Sequence, residues 1–116
     1  MSVTTAPFAC TYDDGTTGAL TEGLEGLNGK RVTQCALSRI CGSCGRPLGR
    51  PIAFVGSGAE VARNAFHFPP LHLACAEQVV QQVATWQLVT TAGFEFVRPA
   101  KQDIDRRPTF EPNSLL

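Results

Sequence analysis

Ile40-Cys41-Gly42-Ser43-Cys44-Gly45-Arg46-Pro47-Leu48-Gly49 and, further on, Pro69-Pro70-Leu71-His72-Leu73-Ala74-Cys75-Ala76 are the two stretches on which the reading of this chain turns. Each carries a pair of ligand-type residues with two residues between them, and 27 residues separate Cys44 from His72. Zinc takes four thiolate or imidazole ligands in a tetrahedron, and a two-residue spacer lets both members of a pair reach one ion. Gly45 and Pro47 prevent a helix from running on past Cys44, so the first pair belongs to a tight knuckle. The second pair follows two prolines and opens a helical pattern, in which positions i and i+3 share a face; His72 and Cys75 therefore point at one ion. A knuckle, a β-hairpin and a helix carrying the last two ligands make a treble clef. The expected fold is thus a small α+β domain organised by one structural Zn2+ on Cys41, Cys44, His72 and Cys75.

Other chemistries fit these residues less well. A redox Cys-x2-Cys needs a helix N-terminus that lowers the pKa of its first thiol, and the glycine and proline after Cys44 exclude that helix. An iron-sulfur cluster on Cys35, Cys41, Cys44 and Cys75 would leave His72 unused. A catalytic zinc keeps one position open for water, whereas four protein ligands close it. His67 is the competing histidine, but only His72 lies one helical turn from Cys75. Asn64 and His67 bring to mind a ββα nuclease, yet the acidic and histidine metal ligands of such a site have no counterpart between Val55 and Leu73.

Moving outward from the knuckle, Arg31 to Ile40 reads as a helix, with Val32, Cys35 and Ala36 on one face and Asn28 as its cap. Ile52–Val55 and Ala65–Phe68 read as the two strands of the hairpin, joined through Gly56-Ser57-Gly58. Alternation there places Phe66 and Phe68 on one face and His67, partly exposed, on the other. Phe54, Phe66 and Phe68 are expected to form the small core rather than to stack on bases. Leu71 to about Trp86 carries a helical stripe of Leu71, Cys75, Val79 and Val83, with Trp86 packing at its end. Gly93 introduces a further strand through Val97. Residues 99–116 hold prolines, mixed charge and few apolar side chains, so an extended or disordered tail is expected.

The chain has 116 residues and a formal net charge of zero. That length suits one domain with a limited core, in which bound metal adds stability. No apolar run approaches the roughly 20 residues that cross a bilayer, and with no signal-like start a cytoplasmic protein is expected. With three cysteines on metal, Cys10 and Cys35 are expected to be packed, free thiols. The neutral total hides an asymmetry. Residues 1–29 hold Asp13, Asp14, Glu22 and Glu25 with no Lys or Arg, whereas residues 30–63 hold Lys30, Arg31, Arg39, Arg46, Arg50 and Arg63 against Glu60. The expected organisation is an acidic segment over 1–29 packed on the core, a zinc domain over 30–98 and a tail over 99–116.

The segment from Ile40 to Glu77 resembles a group of small treble-clef zinc-binding proteins of actinobacteria and bacteriophages. The resemblance lies in the Cys-x2-Cys-Gly-x-x-Leu-Gly knuckle and the Pro-Pro-x-His-x-x-Cys-Ala helix start, about a third of the chain. It implies the treble-clef fold and puts the ligands on Cys41, Cys44, His72 and Cys75; it implies no activity. A closed site and two histidines supply no acid, base and nucleophile set, so a binding module is expected rather than an enzyme. Neutrality and a single finger point to a protein partner. The six basic residues of 30–63 point to the alternative, nucleic acid, if the acidic segment does not cover them.

Overall fold

The computed structural model describes residues 7–12, 14–18, 20, 24, 26–102 and 107–114. Among these, a 3-10 turn at Phe8–Cys10 precedes helix α1 (Gly29–Ser38), strand β1 (Ile52–Gly56) and helix α2 (Gly58–Arg63). Strand β2 (Leu71–His72), helix α3 (Leu73–Gln82) and strands β3 (Gln87–Thr91), β4 (Gly93–Val97) and β5 (Thr109–Ser114) complete the order. The strands form one antiparallel sheet in the order β2-β1-β3 and a second, two-stranded one of β4 and β5. No described helix is long and apolar enough to cross a membrane.

Helix α1 follows from its own residues. Val32, Cys35 and Ala36 recur at helical spacing and are buried, and the Asn28 side chain accepts from the Lys30 amide at 3.1 Å. The same side chain donates to the Thr11 carbonyl at 2.7 Å, tying the helix start to the N-terminal turn. Arg39 ends the helix in the left-handed region at φ 52°.

Strand β1 divides the core. All five of its residues are buried, and the two faces of its pleat serve different clusters. Ala53 and Val55 meet Phe68, Leu71, Ala76, Val79 and Trp86. Ile52 and Phe54 meet Val32, Ala36, Phe66 and Phe110.

Several expectations differ from the structure. Ile52–Val55 does not form a hairpin with Ala65–Phe68; β1 pairs instead with β2, placing Ile52 opposite His72, and with β3 along its whole length. The residues after Gly56 are not a hairpin turn but the start of α2. Ser57 accepts from the Glu60 amide while the Glu60 carboxylate accepts from the Ser57 amide, a reciprocal capping box that stabilises a short helix. The Ser-x-x-Glu spacing that encodes it is present in the sequence. A buried Glu60 then accepts from the His67 amide at 3.0 Å, which fixes the chain after α2 without a ladder to β1. His67 is accordingly buried rather than partly exposed, as are Phe66 and Phe68 on either side of it.

The C-terminus also differs from expectation. Thr109–Ser114 is not a flexible tail but β5, paired with β4. Phe110 is fully buried and exchanges both backbone hydrogen bonds with Phe66, at 2.7 and 2.9 Å. Its ring joins those of Phe54, Phe94 and Phe96 at centroid distances of 5.0 to 5.9 Å. The three phenylalanines 54, 66 and 68 are all core residues. Trp86 packs on Phe68 beyond the end of α3, with its indole N–H lacking a partner among the described residues.

Candidate metal centre

The knuckle is held on several sides by backbone. Cys41 N–H donates to the Arg46 carbonyl at 2.8 Å and Gly45 N–H to that of Cys41 at 2.9 Å, while Ile40 and Pro47 form an isolated bridge. Gly45 adopts φ +73°, open to glycine at little cost, and a Cβ there would press on the Phe8 ring at 3.1 Å. Gly42 has a different constraint: its N–H donates to the Pro70 carbonyl at 2.8 Å, and a Cβ would lie 2.8 Å from the Pro69 ring. That close approach sets the Cys41–Cys44 turn against the segment that leads into His72.

His72 is the last residue of β2 and the N-cap of α3, so the helix, Leu73–Gln82, begins two residues later than the Leu71-to-Trp86 pattern suggests and stops short of Trp86. Cys75 stands in the first turn. The strand pairing to Ile52 places His72 and the helix places Cys75, and together they meet the knuckle. The ligand atoms of Cys41, Cys44, His72 and Cys75 all lie within 4.8 Å of one another.

The spacing of His72 to two of the thiols fits a zinc tetrahedron. With Zn–S near 2.3 Å and Zn–N near 2.0–2.1 Å, a ligand sulfur and nitrogen should be about 3.6 Å apart. His72 Nδ1 is 3.4 Å from Cys44 Sγ and 3.9 Å from Cys75 Sγ. The tautomer fits as well. A carbonyl can only accept, so the 2.9 Å contact between His72 Nε2 and the Pro47 oxygen requires a proton on Nε2. The Nδ1 lone pair of the neutral ring then faces the thiols, as a metal-ligating imidazole oriented by an outer hydrogen bond does.

Backbone amides complete the surroundings. Ser43 N–H donates to Cys41 Sγ at 3.3 Å. Burial is the largest influence on the Cys44 thiol and pushes it up, but the Arg46 amide and hydrogen bonds from Cys41, His72 and Cys75 outweigh it and hold its pKa below the ordinary thiol value. Cys75 is pushed up to about 12, by burial first and then by Cys41 and Cys44. Three thiols so close do not ionise together without a compensating cation, and a bound dication supplies that compensation. These partners, the Pro47 carbonyl and the Ser43 and Arg46 amides, are backbone groups that no residue identity announces.

The other candidates stand apart. His67 is outside the group of four, its Nδ1 donating to the Pro108 carbonyl at 3.1 Å. Cys35 is outside it too, and Cys10 and Cys35 are buried, unbridged thiols. Burial pushes Cys10 up to about 11 and Cys35 to about 12, the nearby Cys41 adding to the latter shift and Arg31 opposing it.

The six basic residues divide. Arg31 is half-buried, its guanidinium 4.5 Å from the centre of the Phe8 ring. Lys30 is exposed at the start of α1, and Arg63 is exposed in the last turn of α2. Arg39, Arg46 and Arg50 are exposed on and beside the knuckle. Of the acidic residues expected to cover them, Asp13, Glu22 and Glu25 lie outside the described residues. Asp14 is exposed and accepts from the amide and hydroxyl of Thr16 at 2.9 and 2.7 Å.

No protein-family model matches the chain, and no curated protein or solved structure proved similar to it. The centre is therefore defined by its own geometry: a mixed α/β domain with a compact group of three cysteines and one histidine, suited to one metal ion.

Proposed function

We propose that this protein is a binding module whose fold is a treble clef fastened by one structural zinc ion, with no enzymatic role for the metal. The observation that carries the reading is the His72 imidazole, held by the Pro47 carbonyl so that Nδ1 faces two thiols at tetrahedral ligand spacing. The order of parts supports the treble clef: a knuckle, an antiparallel pair β1–β2 with α2 inserted in its connection, and a helix carrying Cys75. Four protein ligands complete the coordination of zinc and leave no position for water, which favours structure over catalysis.

A protein partner is suggested by the neutral charge of the whole chain. Nucleic acid is suggested by the exposed arginines on and beside the knuckle. Elemental analysis of the purified protein tests the metal reading. One zinc per chain, lost in Cys41→Ser together with cooperative unfolding, is the expected result; stoichiometric iron and sulfide, or a metal-free chain that unfolds identically with and without a strong chelator, would refute it.

A further inference from the structure

The knuckle carries Arg46 and sets the segments bearing Arg39 and Arg50 beside one another. The bridge between Ile40 and Pro47 puts the strand segment after α1 alongside the segment after Cys44, with Leu48 N–H donating to the Arg39 carbonyl at 2.9 Å. Arg39 and Arg50 line one shallow hollow of about 290 Å³ with Leu48, Gly49 and Ile52. Arg46 sits two residues before Leu48 on the same short ladder.

Three properties of this face point to an anionic partner. All three arginines are exposed, and among the described residues none is held in an ion pair. The sequence from residue 26 to residue 59 contains no Asp or Glu, and Glu60 is buried, with its carboxylate engaged by Ser57 and His67. Arg39 is also preorganised: its guanidinium lies 4.8 Å from the centre of the Phe94 ring. An arginine resting on an aromatic face keeps its N–H edge available for oxygen acceptors and loses less freedom when it binds them. Guanidinium forks match the paired oxygens of a phosphate, and several of them on one face suit a repeating phosphate backbone.

We propose that the knuckle face bearing Arg39, Arg46 and Arg50 binds the sugar-phosphate backbone of nucleic acid. The proposal rests on the zinc-held module, because the knuckle that presents Arg46 is the element the metal would fix. Lys30, Arg31 and Arg63 contribute less: the first two have interactions within the chain, and the third belongs to α2 rather than to the knuckle.

The test is fluorescence anisotropy of the full chain with labelled oligonucleotides, as duplex DNA, duplex RNA and single strands, from roughly 50 to 200 mM salt, with zinc content measured on every sample. Three phosphate contacts give a log-log salt slope near −2.7 on duplex DNA, and Arg46→Ala with Arg50→Ala should flatten it by nearly two units. The same pair changed to Lys should keep the slope while weakening affinity, and Arg63→Ala should leave the slope unchanged. The arm that binds most tightly identifies the form of nucleic acid. A zinc-loaded chain that binds none of the oligonucleotides at about 50 mM salt, or a double Ala variant with an unaltered slope, would overturn the proposal. So would polyglutamate displacing the oligonucleotide at equal charge concentration, which would assign the face to acidic protein. A chain without zinc whose binding still depended on Arg46 and Arg50 would sink the metal reading and leave the phosphate site standing.

Discussion

His72 Nε2 lies 2.9 Å from the carbonyl oxygen of Pro47, so the knuckle's own backbone decides which nitrogen of the only histidine in the cluster faces the three thiols. This hydrogen bond joins the two halves of the site in addition to the Gly42 amide's bond to the Pro70 carbonyl and to the prospective metal.

His72→Ala should release zinc far more readily than His67→Ala. The first removes a ligand atom that stands 3.4 and 3.9 Å from two thiols. The second removes a buried side chain bonded to the Pro108 carbonyl and outside the ligand group, so it should cost stability, on the order of 1 kcal/mol or more, with the metal retained. Competition against a colorimetric chelator reads the difference, and the reverse ranking would mean that the histidine is misassigned.

Zinc affinity should fall as pH falls. Metal binding needs thiolates, and Cys75, pushed up to about 12 by burial and by Cys41 and Cys44, keeps its proton at neutral pH until a cation displaces it. Loading zinc in weak buffer should therefore release protons, with affinity at pH 8 greater than at pH 6. A pH-independent affinity over that interval would argue against thiolate ligation.

Phe110→Ala should destabilise the fold by about 3–5 kcal/mol, the usual effect of emptying a buried aromatic position. Phe110 is fully buried and shares a backbone bridge with Phe66. Urea denaturation measures the loss, and a chain indifferent to the substitution would return residues 109–114 to the status of a tail.

Glu60→Ala should cost more than an exposed capping residue, whose loss is typically near 1 kcal/mol. The Glu60 carboxylate serves Ser57 and the buried amide of His67 at once, so its removal takes an acceptor from each. Metal content should be unchanged, since neither residue belongs to the cluster. Zinc loss in this variant would reveal coupling from α2 to the knuckle through the segment His67–Phe68, where the Phe68 ring lies beside Gly42.

The sequence by itself determined the features that depend on neighbours along the chain. The two-residue spacers named the four prospective ligands, and the Val32, Cys35 and Ala36 spacing with Asn28 in front gave α1 to within about two residues at either end. It equally contained the Ser57-x-x-Glu60 box, set among glycines that by themselves suggest a turn. Tertiary structure alone decided the strand partners. Ile52–Gly56 is apolar throughout, and an apolar run shows burial without showing what buries it; β2, β3 and the two core clusters are supplied by residues up to about 60 positions away. The same holds for Phe110, whose polar, proline-bearing surroundings read as a tail until Phe66 and β4 satisfy its backbone and ring. A side-chain pattern carries local periodicity, whereas hydrogen-bond partners such as the Pro47 carbonyl are chosen only when distant segments close on one another.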